Sequence, residues 1–125
     1  MWRIDNLSQT PVYEQLIEQV KCFILIGALH SGDALPSVRG LSITLSVNPN
    51  TIQKAYSELT LRGILVAVPG KGLFVSENAL EVLLSEAQKK VTELEGLVSL
   101  LKLSGIGKDE ILKSINKIYE GEGNK

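Results

Sequence analysis

The sequence predicts a mainly α-helical fold with one small β-hairpin, and three observations carry that expectation. Apolar residues recur at helical spacing in three successive segments between Pro11 and Leu59. Two β-rich runs then flank the tetrapeptide Pro69, Gly70, Lys71, Gly72. From Glu77 onward the apolar spacing changes to alternating steps of four and three residues. The 125 residues suffice for one compact domain with an appendage and for no second full domain.

The first helix is expected over Pro11 to Leu29, where Val12, Leu16, Val20, Phe23 and Ile24 share one face. Pro11 fits its first turn because the N–H it lacks would be unpaired there. The lone cysteine, Cys22, has no partner for an internal disulfide and is expected to pack on the apolar face of that helix. "HSGD" breaks the pattern, and Ser37 then caps a short second helix with Val38, Leu41 and Leu45 on one side. Asn48 followed by Pro49 starts a third, since Asn accepts a hydrogen bond from an otherwise unpaired N–H and Pro suits the first helical position. Its buried stripe is Ile52, Ala55, Tyr56 and Leu59, which leaves Asn50, Thr51, Gln53, Lys54 and Ser57 outside. "ILVAVPGKGLFV" reads as a hairpin with a glycine-rich tip. Helix, helix, turn, helix, hairpin is the element order of a winged helix-turn-helix.

Leu80, Leu84, Ala87, Val91, Leu94, Val98 and Leu101 form a heptad seam that one helix cannot bury alone. "SGIGKDE" ends that helix and opens another with Ile111, Leu112, Ile115, Ile118 and Tyr119 on its apolar face. The expected division is a winged helix-turn-helix DNA-binding domain over 1–76 and a two-helix dimerisation segment over 77–125. In the latter the heptad residues, with Ile111, Leu112 and Ile115, meet a second copy. The tail "GEGNK" is expected to fray.

Several function classes fall away. The composition is 44% hydrophobic and 22% charged, no apolar run reaches the roughly 18–20 residues of a membrane span, and the first residues lack a signal peptide, so a cytoplasmic chain without a membrane partner is expected. His30, the only histidine, reads as a loop residue, and no set of residues has metal-ligand spacing. Neither Gly70-Lys71 nor Gly107-Lys108 has the remainder of a phosphate-binding loop. An enzyme, a metal and a cofactor are therefore not expected.

A net charge of −1 by itself argues against a nucleic-acid partner, but its distribution matters more. Between Pro36 and Gly72, Arg39, Lys54, Arg62 and Lys71 face Glu58 as the only acid. Asn50, Gln53 and Lys54 are residue types that bond base edges or phosphates, and Thr51 and Ser57 can reach sugar-phosphate oxygens. A solvated helix face could carry the same residues. Arg39 near the start of the preceding helix, Lys71 in the hairpin tip and the heptad seam favour double-stranded DNA.

The stretch "LPSVRGLSITLSVNPNTIQKAYSELTLRGILVAVPGKGLFV" resembles the winged-helix domain of the GntR family of bacterial transcription regulators, from roughly Pro11 to Val75. "IDNLSQTPVYEQLIEQV" with "VNPNTIQKAYSEL" is similar to its small YtrA-type branch, which ends in two helices and has no large effector domain. The resemblance implies that Arg39 reaches the major groove, that Asn48, Pro49, Asn50, Thr51 and Gln53 begin the recognition helix, and that Pro69, Gly70, Lys71 and Gly72 touch the minor groove. It also implies a homodimeric regulator, a repressor, on a pseudo-palindromic operator. Two alternatives stay open: a winged helix used as a protein-docking module, and a regulator sensing an unknown small-molecule effector in a pocket of the dimer interface. The chain departs from the family pattern at two positions. Gly40 stands where Glu is usual, which removes a reciprocal cap with Ser37 and costs about 0.5–1 kcal/mol against Ala in a helix. Ser46 stands where the turn usually has Gly, and is strained if that turn needs positive φ.

Overall fold

The structure is a computed structural model that describes residues 1–121; the remainder of the tail expected to fray lies outside the described residues. The elements run α1 (Val12–Leu25), α2 (Val38–Leu45), α3 (Pro49–Leu61), β1 (Leu65–Val68), β2 (Gly72–Val75), α4 (Ala79–Leu103) and α5 (Lys108–Tyr119). They fall into two compact units, Met1–Ser85 and the residues from Glu86 onward.

The first unit closes around one apolar core. Leu16, Val20 and Ile24 of α1, Leu41 of α2, and Ile52, Ala55, Tyr56 and Leu59 of α3 meet Ile64, Leu65 and Val75 of the hairpin, and Ala79 and Leu83 of α4 complete it. Every residue of the expected α3 stripe is buried. In α1 the stripe also takes in Ile17, while Cys22 is exposed, contrary to expectation. At 100° per residue Cys22 projects away from the Leu16, Val20, Ile24 face. α1 also ends earlier than expected, at Leu25. Gly27, at φ 81°, donates to Ile24 O, and Ala28 donates to Phe23 O at 2.7 Å. This is a Schellman closure, and the left-handed residue it requires is the glycine.

Residues before α1 are fastened to it by two glutamines. The Gln19 amide bonds both the N–H and the carbonyl of Arg3, and the Gln15 amide does the same for Asp5. Trp2 packs edge-on against Phe23 with ring centroids 5.0 Å apart.

α2 is capped by Ser37, whose Oγ accepts from Gly40 N–H at 2.9 Å. The forward half of the capping box is therefore intact, and Gly40 removes only the return bond. A Cβ at position 40 would sit 2.9 Å from that Ser37 Oγ, so a side chain there forces the cap to shift. Between α2 and α3 Ser46 adopts φ 55°, the one positive φ among described non-glycine residues, and Val47 N–H returns to Ser42 O at 3.1 Å. The strain anticipated for this turn is present.

β1 and β2 pair antiparallel, with Leu65 opposite Val75 and Val68 opposite Gly72. Residues just before α2 extend this small sheet: Leu35 N–H donates to Leu73 O, Gly32 N–H to Val75 O and Val75 N–H to Asp33 O, all at 2.9 Å. The Tyr56 hydroxyl, inside the core, donates to Pro36 O at 2.8 Å. Burial pushes this phenol above its ordinary range. A raised folded-state value means that the contribution of the neutral hydroxyl is complete below the ordinary value of 10.0 and is lost only in stronger alkali.

The unit from Glu86 onward has no buried side chain among its described residues. On α4, Leu84 (57% exposed), Leu97 (53%) and Leu100 (59%) are open, and Val98 and Leu101 are half-buried, as are Ile111 and Ile115 of α5. No helix among the described residues is long and apolar enough to cross a membrane.

Two stability measurements follow from these contacts. Ser46→Gly removes the left-handed strain at the cost of backbone entropy, and a net gain of about 0.5–1 kcal/mol is expected; thermal unfolding should show a Tm raised by a few degrees. Tyr56→Phe leaves Pro36 O without its buried donor and should lower stability by about 1–2 kcal/mol in urea unfolding.

Candidate nucleic-acid interface

Three pieces of backbone carry the residues singled out above. Arg39 is the second residue of α2 and its side chain is exposed. Asn48, Pro49 and Asn50 open α3 and are exposed, Thr51 is half-buried, and Gln53 and Lys54 are exposed one turn on. Pro69, Gly70, Lys71 and Gly72 form the exposed tip of the hairpin.

The tip is shaped by backbone rules. Lys71 N–H donates to Val68 O at 2.9 Å, so Val68 to Lys71 form a β-turn with Pro69 at its second position and Gly70 at its third. Gly70 has φ 78°, the value a type II turn requires there, and only glycine reaches it without strain. Lys71 is thereby lifted on a short, stiff loop.

At the start of α3, Asn48 Oδ1 accepts from Asn50 N–H at 2.8 Å, which commits the oxygen of that side chain to capping and leaves its NH₂ group as a donor. Gln53 Nε2 donates to Ser57 Oγ at 3.0 Å, leaving Oε1 and a second N–H for another partner. Asn50 has no such internal bond among the described residues. The exposed carboxamides of Asn50 and Gln53 can each offer a donor and an acceptor side by side, as recognition of adenine requires, while Asn48 offers a donor alone.

Lys54 stands apart from this set. Its Nζ lies 3.8 Å from the ring centroid of Tyr13 on α1, at the edge of an open cleft that Glu14, Glu18, Glu58 and Arg62 also line. Glu58 is bonded by Arg62 Nε at 2.9 Å. Tyr13 was not among the residues selected from the sequence. It stands three, seven and eleven residues before Leu16, Val20 and Ile24, on the same stripe of α1, and that periodicity was the one available signal.

The three pieces share an anchor. Leu35 bonds the β2 strand, Pro36 O receives the Tyr56 hydroxyl of α3, and Ser37 caps the helix that carries Arg39. Consecutive residues thus tie the wing, α3 and α2 together.

Comparison with known proteins agrees with this architecture. Residues 12–75 match the family described as bacterial regulatory proteins, gntR family. The chain is 43% identical over 102 residues to the HTH-type transcriptional repressor YtrA of Bacillus subtilis, an alignment covering 82% of this chain and 71% of that one. A crystal structure of a transcriptional regulator from Oenococcus oeni aligns with a TM-score of 0.71 at 33% identity, covering 93% of this chain and 97% of the other. AraR(DBD), solved in complex with operator ORX1, aligns over 61% of this chain and 96% of its own with a TM-score of 0.55 and 29% identity. The helix-turn-helix, its wing and these matches together establish that the chain belongs to the gntR family of bacterial regulatory proteins, DNA-binding regulators of transcription.

Proposed function

We propose that this regulator is a cytoplasmic homodimeric repressor, without enzymatic activity, that binds an operator with two half-sites related by a two-fold axis. The amino-terminal turns of α3 enter a major groove, Asn48, Asn50 and Gln53 read base edges, Arg39 contacts the same groove from α2, and Lys71 on the wing tip reaches the minor groove. Residues 1–76 bind DNA in this reading and 77–125 dimerise.

The observation that carries the reading is the exposed carboxamide set at the start of α3. Asn50 and Gln53 in this set have the groups for bidentate pairs with adenine, and none of its members carries the charge that binds any phosphate equally. The operator complex solved for AraR(DBD) supports it by analogy of frame.

Dimerisation rests on a separate physical point. A helical unit whose described residues are all at least partly exposed gains little from burial by itself, and Leu80, Leu84, Ala87, Val91, Leu94, Val98 and Leu101 supply a seam a second copy can cover. Each leucine fully buried there would contribute about 1.5–3 kcal/mol. Exposed Leu97, Leu100 and Leu103 widen this surface beyond the heptad positions. Ile111, Leu112 and Ile115 of α5 add to it.

Selection of duplexes from a random-sequence pool by the full chain tests the reading, and recovery of inverted repeats is the expected result. Enrichment of no sequence would reject it. With a selected duplex, log Kd should vary with log salt with a slope magnitude of about 4 to 7, corresponding to about four to eight phosphates per dimer. Arg39→Glu should weaken binding at least tenfold with the Tm unchanged; normal affinity in that variant removes Arg39 from the interface. Sedimentation velocity should give twice the chain mass for the wild type and a shift towards monomer for Leu94→Glu. A monomeric wild type at micromolar concentration would eliminate the dimer.

A further inference from the structure

Lys54, Glu58 and Arg62 lie four residues apart on one side of α3, so the central carboxylate has a cation one turn before it and another one turn after it. Glu58 pairs with Arg62, whose Nε is 2.9 Å from Oε2. That choice follows the helix dipole, since an acid placed amino-terminal to its base at this spacing is the favoured order. Glu18, across the cleft, pairs with Lys21 at 3.6 Å, and Glu14 receives the Tyr13 hydroxyl at 3.3 Å. Among the described residues no carboxylate forms an ion pair with Lys54, and the group that meets its ammonium is the face of the Tyr13 ring.

The difference between a ring and a carboxylate is decisive for a cation. An aromatic face attracts an ammonium through its quadrupole and fixes where it sits, but leaves the full positive charge in place. A lysine on a flexible four-carbon stem otherwise gives up rotamer freedom when it docks. The ring is half-buried on α1 and is held by its own helix, so it does not move with α3's side chains.

We infer that Tyr13 is a positioning residue for DNA binding: its ring holds the Lys54 ammonium, un-neutralised, at the α1-facing edge of α3 for a phosphate oxygen of the duplex. This rests on the reading of α3 as the DNA-binding helix and adds to it a contact that spans α1 and α3. Lys54 on this account binds backbone and not base edges, so it contributes affinity equally at any sequence.

A double-mutant cycle on the full chain tests it, with a labelled duplex selected by the wild-type protein and a scrambled duplex as probes. Lys54→Gln should weaken both and reduce the magnitude of the salt slope by about two per dimer. Tyr13→Leu should weaken binding about two- to fivefold per half-site, Tyr13→Phe should restore it, and Tyr13→Leu should have no further effect in the Lys54→Gln background. Equal weakening by Tyr13→Leu in both backgrounds, or an unchanged slope in Lys54→Gln, overturns the inference while leaving the DNA-binding reading intact. A wild-type chain that selects no duplex and does not bind the scrambled one overturns both. Should Tyr13→Leu not fold, the NMR shifts of the Lys54 ε-methylene protons decide: ring-current displacement upfield in the wild type and in Tyr13→Phe is expected, and random-coil shifts reject the contact.

Discussion

The arrangement of the candidate interface depends on the junction Leu35, Pro36, Ser37. Three neighbouring residues each hold a different element: the Leu35 N–H a wing strand, the Pro36 carbonyl the Tyr56 hydroxyl of α3, and the Ser37 side chain the first turn of α2. Proline suits the middle of this junction because it has no N–H to satisfy and fixes its own φ, while its carbonyl remains free to accept. Tyr56 supplies the long-range half of the bond from inside the core, where an unpaired hydroxyl would be costly. Side chains that must meet one surface of a partner are thereby carried on elements that cannot shift independently.

A thin positive field shapes what such an interface can do. With four basic residues and one acid between Pro36 and Gly72, attraction to phosphate is modest, and Glu58 offsets part of it by pairing with Arg62. In the proposed reading, uncharged hydrogen-bonding groups at the start of α3 supply much of the preference for one site over another, because phosphate contacts carry no sequence information. A regulator of this kind gains little from indiscriminate binding. The turn that presents α3 is held by Ser46 in a left-handed conformation. A bond from Val47 N–H to Ser42 O is among the contacts that keep it there.

The two helices of the second unit obey a different constraint. Their apolar residues are too regular for a solvated helix and too exposed for a finished core, and the acids and lysines between them keep the remaining faces wet. Ala79 and Leu83, by contrast, are buried in the first unit's core, one residue away from Leu80 and Leu84 of the heptad seam. One helix thus serves two apolar faces, and the proposed dimer accounts for the second.

The elements and their local punctuation were legible in the order of residues alone. Ser37 and Asn48 cap the helices they were expected to cap, Ile52, Ala55, Tyr56 and Leu59 form the buried stripe, and the Pro69-Gly70 turn closes the hairpin, because caps, periodicity and turn geometry act over a few neighbouring residues. That order also exposed the family through motifs spanning α2, α3 and the wing. Tertiary structure decided what depends on residues distant in the chain. Cys22 points to solvent because the core lies on the other side of α1, and the backbone at Arg3 and Asp5 is tied to α1 by Gln19 and Gln15, whose amides had no visible reason to face that stretch of chain. Lys54 looked like any other polar residue on α3 until α1 brought Tyr13 beneath it. Contacts of that kind are fixed by how helices pack, and packing is a property of the whole core.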